Sequence, residues 1–154
     1  MMGALPQPRE AQQLHRLREL RVQRARERCA QALAEVERAA EAVHGRQRQI
    51  ERGRSAIDAL AHAVVHSFAP HLPRWSGMAA AQRDRLADRL ERDEYELVSE
   101  EHGLEQAQEK SQQARAELTR ALAREDAVRG LVQETRRAQR LAREARAELE
   151  TEDQ

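Results

Sequence analysis

The chain has 154 residues, 27 basic and 27 acidic side chains, a formal net charge of zero, and one Phe, one Tyr and one Trp. That composition excludes a multi-layered globular core, which needs aromatic and large aliphatic side chains. With 35% charged residues and alanine as its commonest apolar residue, it is the composition of a long helix or coiled coil. Zero net charge supplies no global field for nucleic acid or anionic lipid. No run approaches the ~18 apolar residues of a membrane span, and Met1–Pro8 lacks the apolar core of a signal peptide. Cys29 is alone and has no disulfide partner within the chain. The expected location is the cytoplasm.

A first helix is expected from about residue 9 to 68, starting after Pro8 because proline is favoured at a helix start. Along it Val22, Cys29, Val36, Val43, Ile50, Ile57 and Val64 recur every seven residues. Three positions further on stand Ala25, Ala32, Ala39, Arg46, Gly53, Leu60 and Ser67. This is an a/d heptad seam, β-branched at most a positions and small at most d positions. Small d residues predict a partner helix whose backbone comes close.

The pattern stops at residues 69–77, where Pro70, Pro73 and Gly77 predict the one long-range turn. A second helix is expected from about residue 78 to 150. Its seam runs through Leu90, Leu97, Leu104, Ser111 and Leu118, with Leu86, Ala107, Ala114, Ala121, Val128 and Ala142 on the neighbouring stripe. Asp93, Glu100 and Glu125 interrupt it, and a register shift is expected near Leu122–Leu131. Folding at Pro73 sets Ile57 opposite Leu90, Ile50 opposite Leu97, Val43 opposite Leu104 and Cys29 opposite Leu118. It also sets Gly45 opposite Gly103. The expected fold is therefore all-α, a single antiparallel coiled-coil hairpin, monomeric, with no enclosed pocket of the kind small-molecule sites need.

Charge is unevenly placed. Arg9–Arg28 carries seven arginines against three glutamates, and Arg129–Arg146 six against two, whereas Asp84–Glu109 carries ten acids against three arginines. In a hairpin the two basic segments are neighbours, which predicts a basic end suited to an acidic partner.

Signatures of chemistry are sparse. His62 and His66 have metal-ligand spacing, with His71 close by, but HExxH would need a Glu where Ala63 stands, and no Cys or carboxylate completes a set. Cys29 occupies a core a position and reads as a small apolar residue. No catalytic triad, phosphate loop or cofactor motif occurs, so no enzyme activity and no cofactor are expected. Arg16, Arg18, Arg21, Arg24, Arg26 and Arg28 precede the heptads as in a basic-region DNA binder. However, Leu14, Leu17, Leu20 and Val22 interleave an apolar stripe, and the chain has no Asn to read bases. Phe68, Leu72 and Trp75 concentrate large apolar side chains at the turn, as a cap on the core or a tip for a partner's groove.

The run Leu14-His15-Arg16-Leu17-Arg18-Glu19-Leu20-Arg21-Val22-Gln23-Arg24-Ala25 resembles the opening of the YscO family of type III secretion proteins, counterparts of the flagellar protein FliJ. Length and two-helix layout are similar as well. The resemblance implies a non-enzymatic central stalk whose joined termini enter a hexameric secretion ATPase, and which also contacts the export gate and secretion chaperones. By analogy Arg16, Arg18, Arg21 and Arg24 would face the ATPase, and Phe68, Leu72 and Trp75 the gate. The alternative is a generic coiled-coil scaffold or adaptor.

Overall fold

The computed structural model describes residues 4–66 and 72–153. The protein is all-α: α1 spans Pro8–His66 and α2 spans Leu72–Glu152, and the two pack as an antiparallel hairpin. Phe68 and the other residues of 67–71 lie outside the described part. Packing falls into two units: residues 1–32 with 111–154, and residues 33–110.

Both helix starts follow from proline chemistry. Pro8 opens α1, and Pro73 is the second residue of α2. A proline in the first turn gives up only an N–H that would have no intrahelical partner. Residues 72–77, expected in the turn, therefore belong to the helix, and Gly77 sits inside it without a positive φ. Glu10 caps the start of α1 by accepting from the Gln7 backbone N–H at 3.3 Å.

In the first unit the seam reaches further than the apolar heptads announce. Ala11, the least exposed core residue at 1%, His15 and Arg18 continue it upstream of Val22, Ala25, Cys29 and Ala32. From α2 the seam is made by Ser111, Ala114, Leu118, Ala121, Glu125, Val128, Val132 and Thr135, all buried or half-buried. The spacing alternates three and four without a break, so Glu125 stands in the seam and does not interrupt it. The crowding near Leu131 does cover two neighbours, Leu131 half-buried and Val132 buried. Thr135 satisfies its buried hydroxyl by donating to the Val132 carbonyl at 2.9 Å. Beyond Thr135 every described residue is exposed, Ala142 included. The basic segment expected alongside α1 is therefore packed only as far as Thr135, and the rest of α2 overhangs.

In the second unit α1 contributes Val36, Ala39, Val43, Arg46, Ile50, Gly53, Ile57, Leu60 and Val64. Residues Leu86, Leu90, Asp93, Leu97, Glu100, Leu104 and Ala107 of α2 complete it. Ile50 and Leu97 line one groove, as the fold-back predicts. Leu90 lies against Gly53, where an added Cβ would sit 3.5 Å from Leu90 Cδ1, an ordinary contact.

Gly45 and Gly103 do not form the expected facing pair. A Cβ at Gly103 would meet nothing within 4 Å, and one at Gly45 would meet only the Arg48 guanidinium at 3.9 Å. Neither glycine is required by packing, and each weakens its helix. Gly45→Ala and Gly103→Ala should each raise unfolding stability by about 1 kcal/mol, measured by urea titration followed by helical circular dichroism.

Candidate functional site

The first unit carries a groove with an unusual lining. From α1 come Arg18, Arg21, Arg24, Ala25 and Arg28, and from α2 Glu117, Arg120, Ala121 and Arg124. Helical periodicity explains the convergence. Arg21 and Arg28 are seven apart and precede seam residues Val22 and Cys29, while Arg24 precedes Ala25. On α2, Glu117, Arg120 and Arg124 precede Leu118, Ala121 and Glu125. Each is one step off the seam, so the two rows flank the same side of the helix pair.

The groove floor is alanine, and its walls carry six guanidinium groups against one carboxylate. That carboxylate, Glu117, lies 3.9 Å from Arg28 Nη1, an exposed and weak pairing. Arg18 is different: it holds a seam position, is half-buried, and its Nε is buried with no hydrogen-bond partner among the described residues. A buried donor without an acceptor is costly, and a planar guanidinium is suited to bidentate carboxylate binding. The site can hold acidic side chains on a protein partner.

Of the arginines picked out by sequence, Arg18, Arg21 and Arg24 line this groove, but Arg16 is exposed and does not. Arg28, Arg120 and Arg124 join them, and the last two are visible only once α2 is folded against α1. At the other candidate site, Trp75 is exposed in the first turns of α2, near the exposed Met78. Phe68 and the Leu72 side chain lie outside the described part.

Two charge clusters sit in the seam itself. Glu125 is buried and accepts from Arg129 at 2.6 Å and from His15 Nε2 at 3.1 Å. The Arg129 guanidinium, helped by His15 and opposed by burial, holds the Glu125 carboxyl below the usual glutamate range. Glu125 in turn raises the Arg129 pKa. Glu19 lies 3.7 Å from His15 Nδ1, so the imidazole stands between two carboxylates and turns one nitrogen to each. His15, Glu19 and Glu125 could be taken for a metal-ligand set. Yet the ring divides the donors, and Arg129 already covers the buried carboxylate, so ion pairing accounts for the group. The His62 and His66 rings lie with centroids 4.2 Å apart and planes tilted at 50°, and His71 lies outside the described part.

In the second unit Arg46 occupies a d position. It donates to Glu100 through Nε at 3.3 Å and Nη2 at 3.0 Å, and to Asp93 at 2.9 Å; Glu96 lies 2.6 Å from Nη2. These pairings, Glu100 foremost, raise the Arg46 pKa, so it stays charged. Two of the three acids that break the apolar pattern of α2, Asp93 and Glu100, are thus the partners of the arginine that breaks the pattern of α1.

Compared with protein-family models, curated proteins and solved structures, the chain finds no match.

Two predictions follow from the seam charges. Glu125 is depressed in the folded state, so the stability it adds is present above the unfolded glutamate pKa and is lost as pH falls through the folded value. Thermal melts between about pH 6 and 3 should show a declining midpoint that is flatter in Glu125→Gln. Arg46→Leu should lower the midpoint by stranding Asp93 and Glu100, whereas Arg46→Leu with Asp93→Leu and Glu100→Leu should recover or exceed the parent's midpoint.

Proposed function

We infer that the protein is a non-enzymatic coupling stalk of a bacterial type III secretion system. Its first unit docks into an acidic surface of the hexameric secretion ATPase. Elsewhere the hairpin contacts the export gate and secretion chaperones on the cytoplasmic face of the membrane. The supporting observation is the arginine groove. It is built jointly by residues 18–28 of α1 and 117–124 of α2, it is nearly free of compensating acid, and it holds a buried guanidinium donor with no partner among the described residues. In this reading Arg18, Arg21, Arg24, Arg28, Arg120 and Arg124 bind the ATPase, with Arg16 as an outlying charge. Phe68, Leu72 and Trp75 are assigned to the gate.

The mechanism is mechanical and allosteric. One hairpin inside a ring of six can touch only some subunits at a time. Whatever it touches has a free energy different from the rest, and that difference biases which subunit hydrolyses. Charge complementarity steers the hairpin into the ring and weakens with salt.

Reversing Arg18, Arg21, Arg24 and Arg120 to Glu should abolish stimulation of ATP hydrolysis by the cognate secretion ATPase. Helix content should be unchanged, because three of the four side chains are exposed. Arg16→Glu alone should have a small effect. Unchanged stimulation by the fourfold variant, with turnover measured at low and high salt, rules out docking through the groove. A coiled-coil adaptor with no ATPase partner would give no stimulation even as the parent protein.

A further inference from the structure

Beyond Thr135, α2 packs against nothing among the described residues. Every residue from Arg136 to Asp153 is exposed, including Leu141 at 57% and Leu149 at 62%. A helix this short gains little from backbone propensity alone and is stabilised in proteins chiefly by packing. It nevertheless carries an a/d stripe: Ala138, Ala142, Ala145 and Leu149 are spaced four, three, four. The seam that faces α1 would continue from Thr135 through Gln139, Ala142, Arg146 and Leu149, so the stripe shares Ala142 and Leu149 with it and departs from it at Ala138 and Ala145.

The pattern is self-complementary when reversed. An antiparallel copy centred between residues 143 and 144 sets Ala138 against Leu149 and Ala142 against Ala145. The charge changes sign at that same centre. Arg136, Arg137, Arg140 and Arg143 precede it, while Glu144, Glu148, Glu150, Glu152 and Asp153 follow it, with Arg146 the one exception. Antiparallel pairing brings Arg137 level with the second copy's Glu150, and Arg143 level with its Glu144. Parallel pairing would align like charge with like. Alanine at the stripe allows the close helix approach, near 8 Å, that such a narrow face requires.

We propose that the α2 overhang is a self-association surface, through which two copies of this chain pair antiparallel about a two-fold axis between residues 143 and 144. The interface is isologous. Each overhang is about 25 Å long at 1.5 Å per residue, which places the contact at the small, reversible end of protein interfaces. It uses none of the six groove arginines, so it stands or falls separately from the docking to an ATPase.

The test uses the full chain with Cys29→Ala, carrying either Ala138→Cys or Leu149→Cys. All of the substituted overhang positions are exposed, and circular dichroism checks that helix content is kept. Under oxidation, an equimolar mixture should form a disulfide-linked heterodimer, while each variant alone stays largely uncrosslinked. Crosslinking of each variant alone to the same extent means parallel pairing and overturns the proposal. Sedimentation equilibrium of the parent protein should show a concentration-dependent monomer–dimer exchange. Arg137→Glu with Arg140→Glu and Arg143→Glu should weaken that exchange at least tenfold. Mixing this variant with Glu144→Arg, Glu148→Arg and Glu150→Arg should restore dimers. A parent protein that stays monomeric throughout overturns the proposal as well.

Discussion

The seam between α1 and α2 is a single row of side chains on each helix, and every other feature is placed by it. Burial of a Val or Ile contributes on the order of 1.5–3 kcal/mol, but alanine far less, and alanine occupies much of this seam in the first unit. Cohesion therefore comes from repetition over many heptads. No large side chain is fully buried anywhere among the described residues. A seam so uniform in shape fixes that the helices pair, but it discriminates weakly between neighbouring registers.

Charged residues placed within the row supply that discrimination. Arg46 meets Asp93, Glu96 and Glu100 in the second unit, and Glu125 meets His15 and Arg129 in the first. A slip by one heptad would leave Arg46 only one of its two seam acids, since Asp93 and Glu100 stand seven residues apart, and would take His15 away from Glu125, with the lost pairings uncompensated. Such pairs add little net stability compared with apolar replacements. Their effect is to make the wrong registers worse.

Register in turn composes the candidate site. The arginine groove exists because the flanking positions of α1 and α2 lie side by side, so that charges distant in sequence add in one place. Net charge is zero, yet the local field is strongly positive, and long-range steering responds to the local field. Arg18 joins the seam to the groove, since it occupies a core position and leaves a guanidinium donor unmet. The overhang obeys the same logic with a different partner: a narrow alanine stripe bordered by charges that change sign midway.

The all-α class, the two long helices and their fold-back were legible in the sequence, because a heptad repeat is a local signal that survives over seven repeats. Arg18, Arg21 and Arg24 were legible as a basic cluster. The entry into α2 was misplaced, because proline reads as a breaker in sequence but is accommodated in a first turn. Asp93 and Glu100 read as defects because their partner Arg46 is distant in the chain, and Glu125 did so because its place in the seam opposite His15 appears only once the helices pair. The facing of Gly45 and Gly103 failed because a number match fixes height along the helices and not which side each residue takes. Sequence by itself determined that two long helices form and which stripe of each is apolar, since both follow from spacing along one chain. Only the tertiary structure decided which arginines share a groove and where α1 stops covering α2, because those depend on the stagger between two helices, which no single helix encodes.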